Sequence, residues 1–164
     1  MFNRKLKKYL KLAIKEAQKA LNLGNFPYGA VLVNGKGNII ATGFNENFSK
    51  SDISAHAEIQ CLRKIEIQKL LDKNESYHIF CSGEPCCGCG FFIARTNIKQ
   101  ICWALTDPQR TGSGDLKKDK MLDYFFGDIE MVEEPFADLK KESARLLKEY
   151  YRKIGKPEKM VLYD

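Results

Sequence analysis

Two short segments hold the side chains best suited to chemistry: Ala55-His56-Ala57-Glu58 and, after 26 intervening residues, Pro85-Cys86-Cys87-Gly88-Cys89. Imidazole nitrogen and thiolate sulfur are zinc donors, and a catalytic zinc takes three protein ligands while a fourth position stays open for water. His56, Cys86 and Cys89 make three. Cysteines three apart share one helix face and can grip one ion, whereas Cys87 points elsewhere and is expected to pack as a bystander. Cys86 at the start of a helix lies near unpaired backbone N–H groups and the positive dipole end, which favours its thiolate. Glu58, two residues beyond His56, can reach a water in the open position without binding the metal. Zinc lowers that water's pKa toward neutrality, and a carboxylate there can carry protons as a general acid and base.

Other uses of these residues explain less. A structural zinc would want a fourth protein ligand. The one other histidine, His78, lies in an apolar strand and is expected to be a hydrogen-bonded core residue. A redox dithiol made of Cys86 and Cys89 leaves His56 and Glu58 without a task. A zinc-stabilised interaction module is the non-enzymatic alternative, and Glu58 speaks against it. Cys61, Cys81 and Cys102 stand alone in apolar contexts and are expected to be small buried hydrophobes.

Positioning these groups falls to a chain of alternating elements. Leu6, Leu10, Ala13, Ile14, Ala17 and Leu21 recur at helical spacing over 4–22, with Gly24 as a stop. Ala30–Val33 and Asn38–Ala41 flank Asn34-Gly35-Lys36-Gly37 and predict a hairpin. A polar loop over 45–54 leads into an apolar pattern over 57–70 that predicts one helix of about four turns. Tyr77–Cys81 predicts a buried strand, 85–95 a short helix, and 98–105 another strand. Phe136, Leu139, Leu146, Leu147, Tyr150 and Ile154 form a helical stripe, so the last third is expected to be mostly helical. Thr111 to Asp115 is expected to be a loop. Such alternation predicts an α/β protein with a three-layered sandwich.

Composition bounds the rest. The 164 residues suit one domain spanning 1–164, with enough core to fold without a staple. Hydrophobic residues at 44% and charged residues at 29% match ordinary globular usage. No membrane span is expected, and Lys11 and Lys15 interrupt any leader-like apolar run at once, which reads as cytoplasmic. The net charge of +6 is compatible with a polyanionic partner such as RNA, although the lysines are interleaved with acids.

At its metal segments the chain resembles the cytidine deaminase-like superfamily, in the branch that holds guanine deaminases and bacterial tRNA adenosine deaminases. The two patterns together, H-x-E and P-C-x-x-C, form a zinc deaminase signature. Phe26-Pro27-Tyr28-Gly29-Ala30-Val31 resembles the branch's first strand, and Gly43-Phe44-Asn45 its Gly-x-Asn element. Gly83-Glu84-Pro85-Cys86 resembles its Glu-Pro-Cys segment. Gly88 stands where Met is common, and Ser82-Gly83 where bulkier residues precede Glu-Pro-Cys, so the resemblance implies a slightly roomier site.

The resemblance also implies a five-stranded mixed sheet in an α/β/α sandwich, Zn2+, a homodimer, substrate contact by Asn45, and oxyanion-type N–H groups near Ala57 and Cys86. Asp107 and Asp115 resemble acidic residues of a purine-contacting loop. The implied reaction is hydrolytic deamination. A free purine base or nucleoside is the favoured substrate, a tRNA adenosine the alternative, and a cytosine-type ring the least favoured. Tyr150, Tyr151 and Tyr163 could close over a small ligand.

Overall fold

The computed structural model describes residues 2–109, 112–114 and 126–164. Helix α1, Phe2–Asn22, buries Leu6, Leu10, Ala13, Ile14, Ala17 and Leu21 on one stripe. It stops where Gly24, at φ 78°, turns left-handed and the Asn25 N–H donates back to the Ala20 carbonyl. Strand β1, Gly29–Asn34, then turns through a tight hairpin into β2, Ile39–Phe44. The Asn34 side-chain oxygen accepts from the N–H groups of Lys36 and Asn38, and Gly37 supplies the left-handed φ of 85°.

Strands β3, Tyr77–Cys81, β4, Ile98–Trp103, and β5, Glu130–Glu133, complete a five-stranded sheet ordered β2-β1-β3-β4-β5. β1 is antiparallel to β2 and β3, whereas β3, β4 and β5 run parallel. The sheet is therefore mixed, as expected. Alternate residues of each strand serve opposite faces. Val31, Val33, Phe80 and Cys102 pack with α1 and with α6, Ala137–Lys153. Leu32, Ile79, Ile101 and Trp103 pack on the other face with α3, Ala57–Leu62, α4, Ile67–Leu71, and α5, Cys87–Ala94. The arrangement is the three-layered α/β/α sandwich.

Three expectations need correction. The four-turn helix over 57–70 is two short helices, because Glu66 is extended at ψ 131°. At about 100° per residue a continuous helix would aim Leu70 some 140° away from Ala57, yet both are buried in one core, so the break turns Leu70 inward. The C-terminal third holds the edge strand β5, whose Glu-Met-Val-Glu sequence carries too little apolar signal to read as a strand. The polar loop over 45–54 contains one helical turn, α2, Asn47–Lys50. The tail beyond α6 ends in a 3-10 helix, Pro157–Tyr163. No described helix is long and apolar enough to cross a membrane.

Candidate metal centre and active site

The two chemical segments meet at the N-termini of α3 and α5. His56 is the extended residue before α3 and Cys86 the extended residue before α5, with Cys89 in the first turn beyond it. Cys86 thus caps the helix rather than lying within its first turn. Close packing holds α3 there: a Cβ on Gly43 of β2 would come within 2.3 Å of the Ala57 carbonyl. On the α5 side the backbones of Cys86 and Gly112 form a β-bridge.

His56 Nδ1 lies 3.5 Å from Cys86 Sγ and 3.4 Å from Cys89 Sγ. Zinc–sulfur bonds of about 2.3 Å and zinc–nitrogen bonds of about 2.0–2.1 Å at a tetrahedral angle place sulfur and nitrogen roughly 3.6 Å apart. The three donors, all within 4.8 Å of one another, therefore fit one zinc ion. The Cys86 thiol is pulled down to about 4, first by a hydrogen bond with Cys89 and further by His56, against the effect of burial. The hydrogen bond with Cys86 raises His56. A thiolate beside an imidazole is what a cation needs.

Glu58 is 5% exposed, and burial first, then the charge of Cys86, pushes its carboxyl above the usual range, with His56 opposing. It lies on the wall of a cleft of about 530 Å³ that also receives His56, Cys86, Ala57, Asn45 and Asp107. The cleft is thus bordered by six of the residues selected from sequence. Cys89 lies behind it, buried, in hydrogen-bonding contact with Glu58. Asp115 lies outside the described residues.

Asn45 is 2% exposed. Its amide is exchanged with Asn47, donating to Asn47 Oδ1 and accepting from the Asn47 N–H at 3.2 Å. Asn47 Nδ2 in turn donates to the Asp52 carbonyl at 2.8 Å. Asp107 Oδ1 accepts from the Gln109 N–H at 3.0 Å, closing an Asx turn.

Several residues sit elsewhere than expected. Cys87 is exposed rather than packed, while Cys61, Cys81 and Cys102 are buried as expected. His78 is half-buried with an unpartnered Nδ1 among the described residues, so it is not hydrogen-bonded there, and burial lowers its pKa. Tyr150 is a core residue whose ring packs tilted against Phe26 with centroids 4.7 Å apart, whereas Tyr151 and Tyr163 do border the cleft. Gly83 does not leave the site roomier: a Cβ there would meet the Tyr28 ring at 2.6 Å, so Tyr28 occupies the space. Tyr28, quoted from sequence only as strand-leading, is a cleft residue, and burial and Tyr163 raise its pKa. Glu84 was also missed; the glycines at 112 and 114, which leave space for its carboxylate, lie far from it in sequence and meet it only in the fold.

Three potential metal donors, a buried carboxylate beside them and an open cleft make a candidate hydrolytic zinc centre. Residues 3–105 match the cytidine and deoxycytidylate deaminase zinc-binding region, and the chain belongs to that family. It is similar to the tRNA-specific adenosine deaminase of Haemophilus influenzae, 31% identical over 93% of this chain and 87% of that one. The tRNA-specific adenosine deaminase of Bacillus subtilis is also 31% identical, over 92% and 91% of the two chains. Among solved structures, guanine deaminase from Nitrosomonas europaea aligns with a TM-score of 0.69 at 16% identity, over 88% of this chain and 83% of that one. The resemblance there is of fold.

Proposed function

We propose that residues 1–164 act as one cytoplasmic deaminase domain that hydrolyses the exocyclic amine of a purine, with the purine being an adenine carried on tRNA. The observation that carries the reaction is the meeting of His56 Nδ1 with Cys86 and Cys89 sulfur at 3.5 and 3.4 Å beside buried Glu58. The tRNA assignment draws on the curated relatives at 31% identity, both tRNA-specific adenosine deaminases. The charge of +6 agrees with it.

His56, Cys86 and Cys89 hold the zinc, which supplies the Lewis acidity that makes water nucleophilic near neutral pH. Glu58 takes a proton from water and delivers it to the ring nitrogen. It then passes the second proton to the amine, which leaves as ammonia while the ring carbon keeps the oxygen. Asn45 holds the substrate through its amide, fixed for that task by Asn47. Ala57 contributes a first-turn N–H to the developing charge, and Asp107 and Asp115 meet the base. The free cysteines suit a reducing compartment, and exposed Ile53, Phe91 and Phe92 suit a second copy of the chain.

A free purine base or nucleoside is the second reading, favoured by the tail. Tyr163 stacks on Tyr151 with centroids 5.9 Å apart, and both border the cleft; an ion pair from Lys148 to Asp164 ties down the chain end. Ammonia release from guanine, guanosine, adenine, adenosine, cytosine and a tRNA anticodon stem-loop separates the readings. Turnover of the stem-loop adenosine alone supports the proposal, and turnover of guanine in its place supports the second reading. A silent panel with zinc bound overturns both.

A further inference from the structure

The carboxylate of Glu84, two residues before Cys86, lies against the loop after β4. Its Oε2 accepts from the Asp107 N–H at 2.9 Å and its Oε1 from the Gly114 N–H at 2.8 Å. Two backbone bonds run alongside: Glu84 N–H to the Leu105 carbonyl and Ser113 N–H to the Pro85 carbonyl, each 2.8 Å. The fit is close on the loop side. A Cβ on Gly112 would fall 2.2 Å from the Glu84 carboxyl carbon, and one on Gly114 would fall 2.7 Å from its Oε1. Glu84 is buried, so both oxygens are committed where water cannot readily replace the N–H groups. One side chain thereby ties the Gly112–Gly114 segment to Asp107, which borders the substrate cleft.

We propose that Glu84 is a positioning residue, its carboxylate clamping the Asp107 and Gly112–Gly114 segments so that Asp107 is held at the cleft against the substrate ring. It acts through Asp107 and the loop backbone and not on the reacting atoms. The inference rests on the deaminase reading for its kinetic consequence and on geometry alone for the clamp.

Glu84→Gln keeps one acceptor but turns an NH2 toward a backbone N–H, so one of the two bonds is lost. Two readouts test the clamp on the zinc-loaded full chain. Amide hydrogen exchange should lose protection at Asp107 and Gly114, at least about tenfold each, while Gly90 in α5 is unchanged. Steady-state rates on the substrate that the panel identifies should show KM raised about tenfold or more and kcat within about threefold, the pattern of lost binding and not lost chemistry. Zinc content should stay at the wild-type level. Gly114→Ala, which crowds the same carboxylate from the other side, should reproduce both effects and supplies the test if the first variant does not fold. Glu84→Asp, one methylene short, should rescue neither.

Unchanged exchange at both amides overturns the clamp, whatever the enzyme turns over. Zinc lost in proportion to activity overturns it too, since Glu84 would then serve the metal segment. A wild-type protein inactive on the whole panel, with the two amides still exposed by Glu84→Gln, overturns the deaminase reading and leaves the clamp intact.

Discussion

At the scale of single residues, the chemistry depends on small differences in surroundings. Cys86 and Cys87 are adjacent, yet Cys86 faces an imidazole and Cys87 faces solvent. Replacing Cys87 by Ser should leave zinc content and turnover unchanged, whereas Cys89→Ser should remove most of the metal, as plasma emission of the purified variants would show. Asn45 is a different case, since its amide touches no metal donor. Asn45→Ala should lower kcat/KM by about 10- to 100-fold, the cost of leaving a buried polar partner unsatisfied, with zinc content unchanged. An undiminished kcat/KM would remove Asn45 from the site. That His56, Cys86 and Cys89 could share a metal ion was legible in sequence because zinc chemistry demands fixed residue types at short spacings. Glu84 and Tyr28 were not, because their partners, Gly112, Gly114 and Gly83, are recognisable as partners only once the chain has folded.

Among the elements, the site is held by close backbone contact. Gly43 lets β2 approach the first turn of α3, and Gly43→Ala should cost about 1–3 kcal/mol of stability by forcing the strand and helix apart. Its midpoint of thermal unfolding and its zinc affinity should fall together. The loop after β4 is held from its other side by Glu134, whose carboxylate accepts from the Thr106 N–H at 2.8 Å and pairs with Lys140 Nζ at 2.7 Å. Burial pushes Glu134 up, but Lys140 and Thr106 outweigh it, so its folded pKa lies below the ordinary 4.5. Its contribution is therefore complete above that value and is lost as pH falls through the folded pKa. Glu134→Gln should melt earlier than wild type at neutral pH, and thermal scans in acid should show the gap closing. A gap that widened in acid would contradict the assignment. The strongly periodic helices α1 and α6 and the hairpin were readable in advance. β5 was not, since an edge strand between two glutamates needs its neighbour β4 to exist at all, and the break between α3 and α4 follows from where Leu70 must go.

For the whole molecule, two apolar cores on opposite faces of the sheet carry the fold, and the metal donors lie at helix ends above it. Chelation should consequently abolish activity while far-ultraviolet circular dichroism at 25 °C stays that of a folded α/β protein; collapse of the spectrum would make the zinc structural. If tRNA is the substrate, its binding should weaken by about 0.7–0.9 logarithmic units per neutralised phosphate for each tenfold rise in salt. Turnover of an uncharged purine should be nearly indifferent to salt.

In the proposed reaction the carboxylate of Glu58 moves the protons beside a zinc held by His56, Cys86 and Cys89. Ammonia release by wild type and Glu58→Gln, compared at equal zinc content on the substrate that the panel identifies, tests it most directly. The rate of the variant should be about 10²- to 10⁴-fold lower, the usual worth of general acid–base catalysis. Equal rates from the two zinc-loaded proteins would contradict it.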